Sequence, residues 1–110
     1  MIKRNFISEN HLVFSFPEET RFSFLVAREM RKEMLRIPEK ENMKITLDLS
    51  RIHFVDSAGF DFLVNMAREA ERCRFEFELI HVLPEVTELV RLLNLENILG
   101  TGESTYKSCL

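Results

Sequence analysis

The 110-residue sequence is short of several things that would each announce a function. It has two cysteines, Cys73 and Cys109, which fit no metal-ligand spacing and no disulfide framework. Two unpaired, reduced thiols are the expectation, and no metal is called for. Positive charge is not in excess: 15 Lys and Arg stand against 18 Asp and Glu, a net charge of −3. That argues against nucleic acid, which calls for a basic surface. No apolar run approaches the roughly 18 residues of a membrane span, and the opening Met1-Ile2-Lys3-Arg4-Asn5 lacks a signal-peptide core, so a cytoplasmic protein is expected. Two of the three glycines lie in Gly100-Thr101-Gly102, too short for a phosphate-cradling loop. There is no internal repeat and no low-complexity segment.

What is there suits a folded unit. Hydrophobic residues make up 45% of the chain, which argues against disorder. The length allows one core, hence a single domain over residues 1–110. Ile2 to Phe16 reads as two short strands meeting at Ser8-Glu9-Asn10. Pro17-Glu18-Glu19-Thr20 suits the opening of a helix, with acids at the positive end of its dipole. Phe22, Leu25, Val26, Met30 and Met34 recur at helical spacing until Pro38, which stops the pattern.

Lys44 to Leu49 then reads as a strand, with Ile45, Leu47 and Leu49 on one face. From Ala58 the period becomes helical, with Phe60, Leu63, Val64 and Ala67 as one stripe, to about Arg72. Phe75, Phe77 and Leu79 alternate with Glu76, Glu78 and Ile80, a half-buried strand. Pro84-Glu85 opens a third helix carrying Val86, Leu89, Val90 and Leu93. Residues 100–105 are turn-rich, and Tyr106 to Leu110 reads as a last strand or a mobile tail. The order is ββαβαβα. Strands buried on both faces read as continuous apolar runs, whereas these alternate, and Glu76 and Glu78 sit poorly beneath a helix. An α/β fold with a small mixed sheet and helices mainly on one face follows.

The organising stretch is Asp48-Leu49-Ser50-Arg51-Ile52-His53-Phe54-Val55-Asp56-Ser57-Ala58-Gly59. It ends where a loop hands over to a helix, next to free amide groups and the positive end of the dipole. Ser57 reads in two compatible ways: as the helix cap, worth about 1 kcal/mol, or as a phosphate acceptor at a place that favours negative charge. Asp56 is also able to cap. Gly59 costs the helix about 1 kcal/mol relative to alanine, which makes sense where another backbone or a partner comes close. Asp48 and Ser50, on the polar face of their strand, read as loop organisers through hydrogen bonds to backbone amides. Phe62 and Met66 lie one turn apart on a second face of the helix, either as a wide apolar stripe or as a partner contact. His53, Asp56 and Ser57 do not make a hydrolase triad, since three residues of one short loop lack the mutual aim and no nucleophile elbow surrounds the serine.

Asp48-Leu49-Ser50 followed by Asp56-Ser57-Ala58-Gly59 resembles the signature of the STAS domains, in particular the bacterial anti-sigma factor antagonists. The resemblance runs from about Lys44 to Leu99 and more weakly over the first 40 residues. It implies a STAS-type fold and a protein-binding switch rather than an enzyme, with no cofactor. Its implied partner is an anti-sigma factor with serine-kinase activity, which supplies the ATP and magnesium, sequestered by the unmodified protein and released on phosphorylation of Ser57. A phosphatase would reset Ser57. Asp56, Ser57, Ala58, Gly59, Asp61, Phe62 and Met66 are the expected contact residues. The sequence departs from the family at Phe16-Pro17-Glu18-Glu19, where a Gly-x-Leu-Asp-like turn is usual, and at Asp61, where a small residue is common. Two rival readings stand beside the switch: a non-phosphorylated STAS scaffold or transport-complex subunit, and a small-ligand or nucleotide-binding regulator.

Overall fold

The computed structural model of the chain describes residues 2–37, 42–92 and 106–108. Its elements are β1 (Lys3–Ser8), β2 (His11–Ser15), β3 (Thr20–Phe22), α1 (Phe24–Leu35), β4 (Lys44–Asp48), β5 (Ile52–Val55), α2 (Ser57–Cys73), β6 (Glu76–Ile80), α3 (Pro84–Leu92) and β7 (Tyr106–Ser108). The main sheet has the order β1-β2-β4-β6-β7. Its centre is parallel, β2 with β4 and β4 with β6, and its outer pairs β1–β2 and β6–β7 are antiparallel. The expected mixed sheet is therefore present, and Tyr106–Ser108 supplies its last strand. The expected apolar segment at 95–99 and the turn-rich 100–105 lie outside the described residues.

Register explains the core. Leu12, Ile45 and Phe77 form one row across three strands, and Phe14, Leu47 and Leu79 the next. All six are buried. Helices close over this face: Val26, Ala27 and Met30 of α1, Phe60, Leu63 and Ala67 of α2, and Val86 of α3 join the same cluster. The opposite face carries the polar partners of each alternation. Lys44 Nζ lies 3.5 Å from both Glu76 and Glu78, whose carboxylates would otherwise repel on neighbouring same-face positions. Thr46 accepts from His11 at 2.8 Å and donates to Glu78 at 3.2 Å, which lets a hydroxyl be fully buried without an unmet hydrogen bond.

Two expectations need correction. Residues 17–20 do not open the first helix. Thr20–Phe22 is instead a strand, pairing in parallel with Ile52–Val55 in a separate two-stranded ribbon, β3–β5. The Thr20 amide finds the Arg51 carbonyl at 3.1 Å, a partner that a helix's first turn would not offer. Leu25 is exposed, although it was expected on the apolar stripe; α1 buries Val26, Ala27 and Met30 instead. Strand β5 itself falls in a stretch read as loop.

The ribbon fixes where α2 begins. The Asp56 amide donates to the Phe22 carbonyl at 3.2 Å, drawing β3 against the first turn of α2. A Cβ on Gly59 would run into that carbonyl oxygen and would lie 2.8 Å from atoms of Phe22 and Val55. The glycine is there because another backbone comes close. Asp56, in extended conformation, caps α2: its Oδ1 accepts from the Gly59 amide at 2.9 Å. Gly59→Ala should therefore lower stability by about 1–3 kcal/mol through overpacking, despite the gain of about 1 kcal/mol in helix propensity; a urea midpoint at or above that of the native chain would refute the close approach. Asp56→Ala should cost about 1 kcal/mol through loss of the cap, whereas Ser57→Ala should stay within about 0.5 kcal/mol. Denaturation curves of the two variants decide which residue caps.

Candidate functional site

Ser57 is the first helical residue of α2, and it is exposed. With the capping done by Asp56, the serine hydroxyl is left over: among the described residues, none shares a hydrogen bond with it. The capping role that the sequence allowed for Ser57 thus falls to its neighbour. The hydroxyl points into solvent at the positive end of a 17-residue helix whose first turn carries no acidic residue. Ala58 is half-buried and Asp61 exposed, while Asp56 is half-buried through its cap.

Three of the expected contact residues are not at the surface. Gly59 is packed under the Phe22 carbonyl. Phe62 and Met66 are 3% and 7% exposed and belong to the core. The reason is that α2 has two neighbours rather than one. Helix α1 lies alongside it, with the Phe22 ring 5.8 Å from that of Phe62 and the Arg31 guanidinium 5.9 Å from the Phe62 ring centre. The second apolar face of α2 is therefore a wide stripe covered within the chain.

The loop before β5 is tied at its start. Asp48 Oδ1 accepts from the Ser50 amide at 3.0 Å, and the His81 ring lies 3.2 Å from the same oxygen. Burial pushes the Asp48 carboxyl up, but the hydrogen bonds from Ser50 and then His81 outweigh it and hold the pKa below the ordinary value. Ser50 contributes through its backbone amide and its side chain. Leu49 donates to Ile80 and accepts from Ile52. This end of the sheet is thus fastened from both the β4 and β6 sides.

Sequence reasoning missed the surroundings of His53. Its ring does not face Ser57; it lies between Glu19 and Glu85, at 2.6 and 2.9 Å. It missed Phe54 too, exposed on β5 with the Arg21 guanidinium 4.8 Å from its ring centre. Neither arrangement carries a local signal, since the partners come from distant segments. Among the described residues there is no cluster of three or more His, Cys, Asp or Glu able to hold a metal, and no helix is long and apolar enough to cross a membrane.

Comparison with known proteins agrees with this architecture. Residues 19–100 match the family model described as "Mlab, STAS domain". No curated protein matches the chain. Among solved structures, the chain resembles a sulfate transporter family protein from Wolinella succinogenes, with a TM-score of 0.70 at 15% identity, covering 84% of this chain and 74% of that one. At that identity the likeness speaks for the fold. The family match spans β3 to beyond α3 and includes the Asp56–Gly59 junction, and the chain belongs to the STAS domain family.

Proposed function

We propose that this chain is an anti-sigma factor antagonist: a binding module that docks a protein partner at the exposed start of α2 and is switched by phosphorylation of Ser57. The observation that carries the reading is the serine hydroxyl, exposed at the first position of α2 and relieved of capping by Asp56. A kinase reaches such a hydroxyl without unwinding the helix, and the phosphate would lie at the favourable end of the dipole. Ser57, Ala58 and Asp61 are the proposed contact residues, with Asp56 shaping the loop. The partner proposed is an anti-sigma factor with serine-kinase activity that supplies ATP and magnesium, and a phosphatase resets the serine. The chain itself performs no catalysis in this scheme.

The mechanism is electrostatic. Phosphorylation adds about −1.5 to −2 charges beside Asp56 and Asp61. A partner seated on the loop would have to desolvate that charge and face the two aspartates, which favours release. The bonds that build the site, Asp56 to Gly59 and Asp56 to Phe22, do not involve the hydroxyl and would persist.

A second reading is a non-phosphorylated STAS subunit of a transport complex. What favours it is the description of the similar solved structure as a sulfate transporter family protein. Incubation with ATP and the kinase partner, followed by mass spectrometry, separates the two. A phosphate on Ser57 that disappears in Ser57→Ala supports the switch, and an unmodified serine in the presence of a kinase that binds leaves the transport subunit. Ser57→Asp should weaken partner binding at least about tenfold while leaving the thermal midpoint within a few degrees of the native one; equal affinity in a titration calorimeter would remove the electrostatic argument.

A further inference from the structure

His53 is held at both ring nitrogens. Its Nε2 lies 2.6 Å from Glu19 Oε2 and its Nδ1 2.9 Å from Glu85 Oε2. A neutral imidazole has one N–H and one lone pair, and an ionised carboxylate only accepts. Two carboxylates facing two nitrogens therefore require the imidazolium. Glu19 belongs to the segment leading into β3, and Glu85 to the first turn of α3. One ring on β5 thus joins three parts of the chain at the end of the molecule where Ser57 lies, three residues before the Asp56 cap.

The other charges around this cluster sharpen its behaviour. Arg51, in the turn before β5, lies 3.5 Å from Glu19, so Glu19 keeps a cation when His53 loses its proton. Arg21 of β3 is turned to the Phe54 ring. Glu85 has no second cation among the described residues. Once the ring is neutral, one nitrogen presents a lone pair to a carboxylate, and that contact becomes repulsive. We propose that His53 is a pH-operated clamp that fastens the β3–β5 ribbon to α3 when protonated and releases one of its two carboxylates when neutral.

The electrostatics agree with the geometry. The Glu85 hydrogen bond raises the His53 pKa above the ordinary histidine value; desolvation opposes it, and the Glu19 hydrogen bond and the two nearby negative charges add to the rise, while His53 lowers the pKa of Glu85. Because the folded value is the raised one, the clamp is complete below the unfolded value of about 6.5. It is lost as pH rises through the folded value. A consequence for docking at Ser57 rests on the function proposed above, since β5 leads directly into the Asp56-Ser57 turn.

The test is an NMR titration of the full chain from about pH 5 to about 9, with hydrogen-exchange protection factors measured alongside. The His53 ring should titrate above the ordinary value, with the Glu19 and Glu85 carboxylates reporting the same midpoint. Protection of amides in 20–22 and 52–55 should fall by several-fold through it. Glu85→Gln and Glu19→Gln should each lower the midpoint, and the double variant should lower it most. His53→Arg, cationic throughout, should leave protection independent of pH. A His53 midpoint at or below the ordinary value, or ribbon protection that does not change through the transition, would overturn the clamp. Partner affinity measured across the same range reads the docking consequence separately: a clamp that titrates while affinity stays flat counts against docking at this face and leaves the clamp standing.

Discussion

The Phe22 carbonyl oxygen occupies the space where a side chain at residue 59 would be. Much of the candidate site depends on that close approach. It requires a glycine in the first turn of α2, and it accepts the Asp56 amide. That leaves the Asp56 side chain aimed at the Gly59 amide as the cap. With both jobs assigned to Asp56, Ser57 has no structural duty and faces solvent. An exposed, uncommitted hydroxyl at a helix start is thus a product of backbone packing two segments away.

The ribbon responsible is minor in size, three residues against four, yet it sets the layout of that end of the chain. By pairing in parallel, β3 and β5 deliver their following helices, α1 and α2, to the same side. This covers the second apolar face of α2 and takes Phe62 and Met66 into the interior. Helix α3 packs against the ribbon from β5, with His53 linking its first turn to the strand.

Much of the main sheet was legible in the sequence, for a definite reason. Strands β2 and β6 have one face against the helices and one face open, so their side chains alternate cleanly, as Phe77 and Leu79 do against Glu76 and Glu78. The ribbon was illegible because it is short and has no such alternation: β5 runs buried, exposed, exposed, buried from Ile52 to Val55. Pro17-Glu18-Glu19 imitates a helix opening, and only the long-range pairing of Thr20 with Arg51 shows otherwise. At the candidate site the local chemistry was readable, including the glycine's need for a close neighbour and the ability of Asp56 to cap. Which of Asp56 and Ser57 caps was not readable, because either side chain suits the position. The fate of Phe62 depended on where α1 lies, and periodicity along α2 says nothing of that.

The far side of the sheet holds a small piece of enforced chemistry. The hydroxyl of Thr46 has a single hydrogen, and Glu78 takes it. Only lone pairs then remain for the imidazole on β2, so His11 must offer its hydrogen through Nε2. A tautomer that a free histidine would exchange at will is therefore dictated by an acid two strands away.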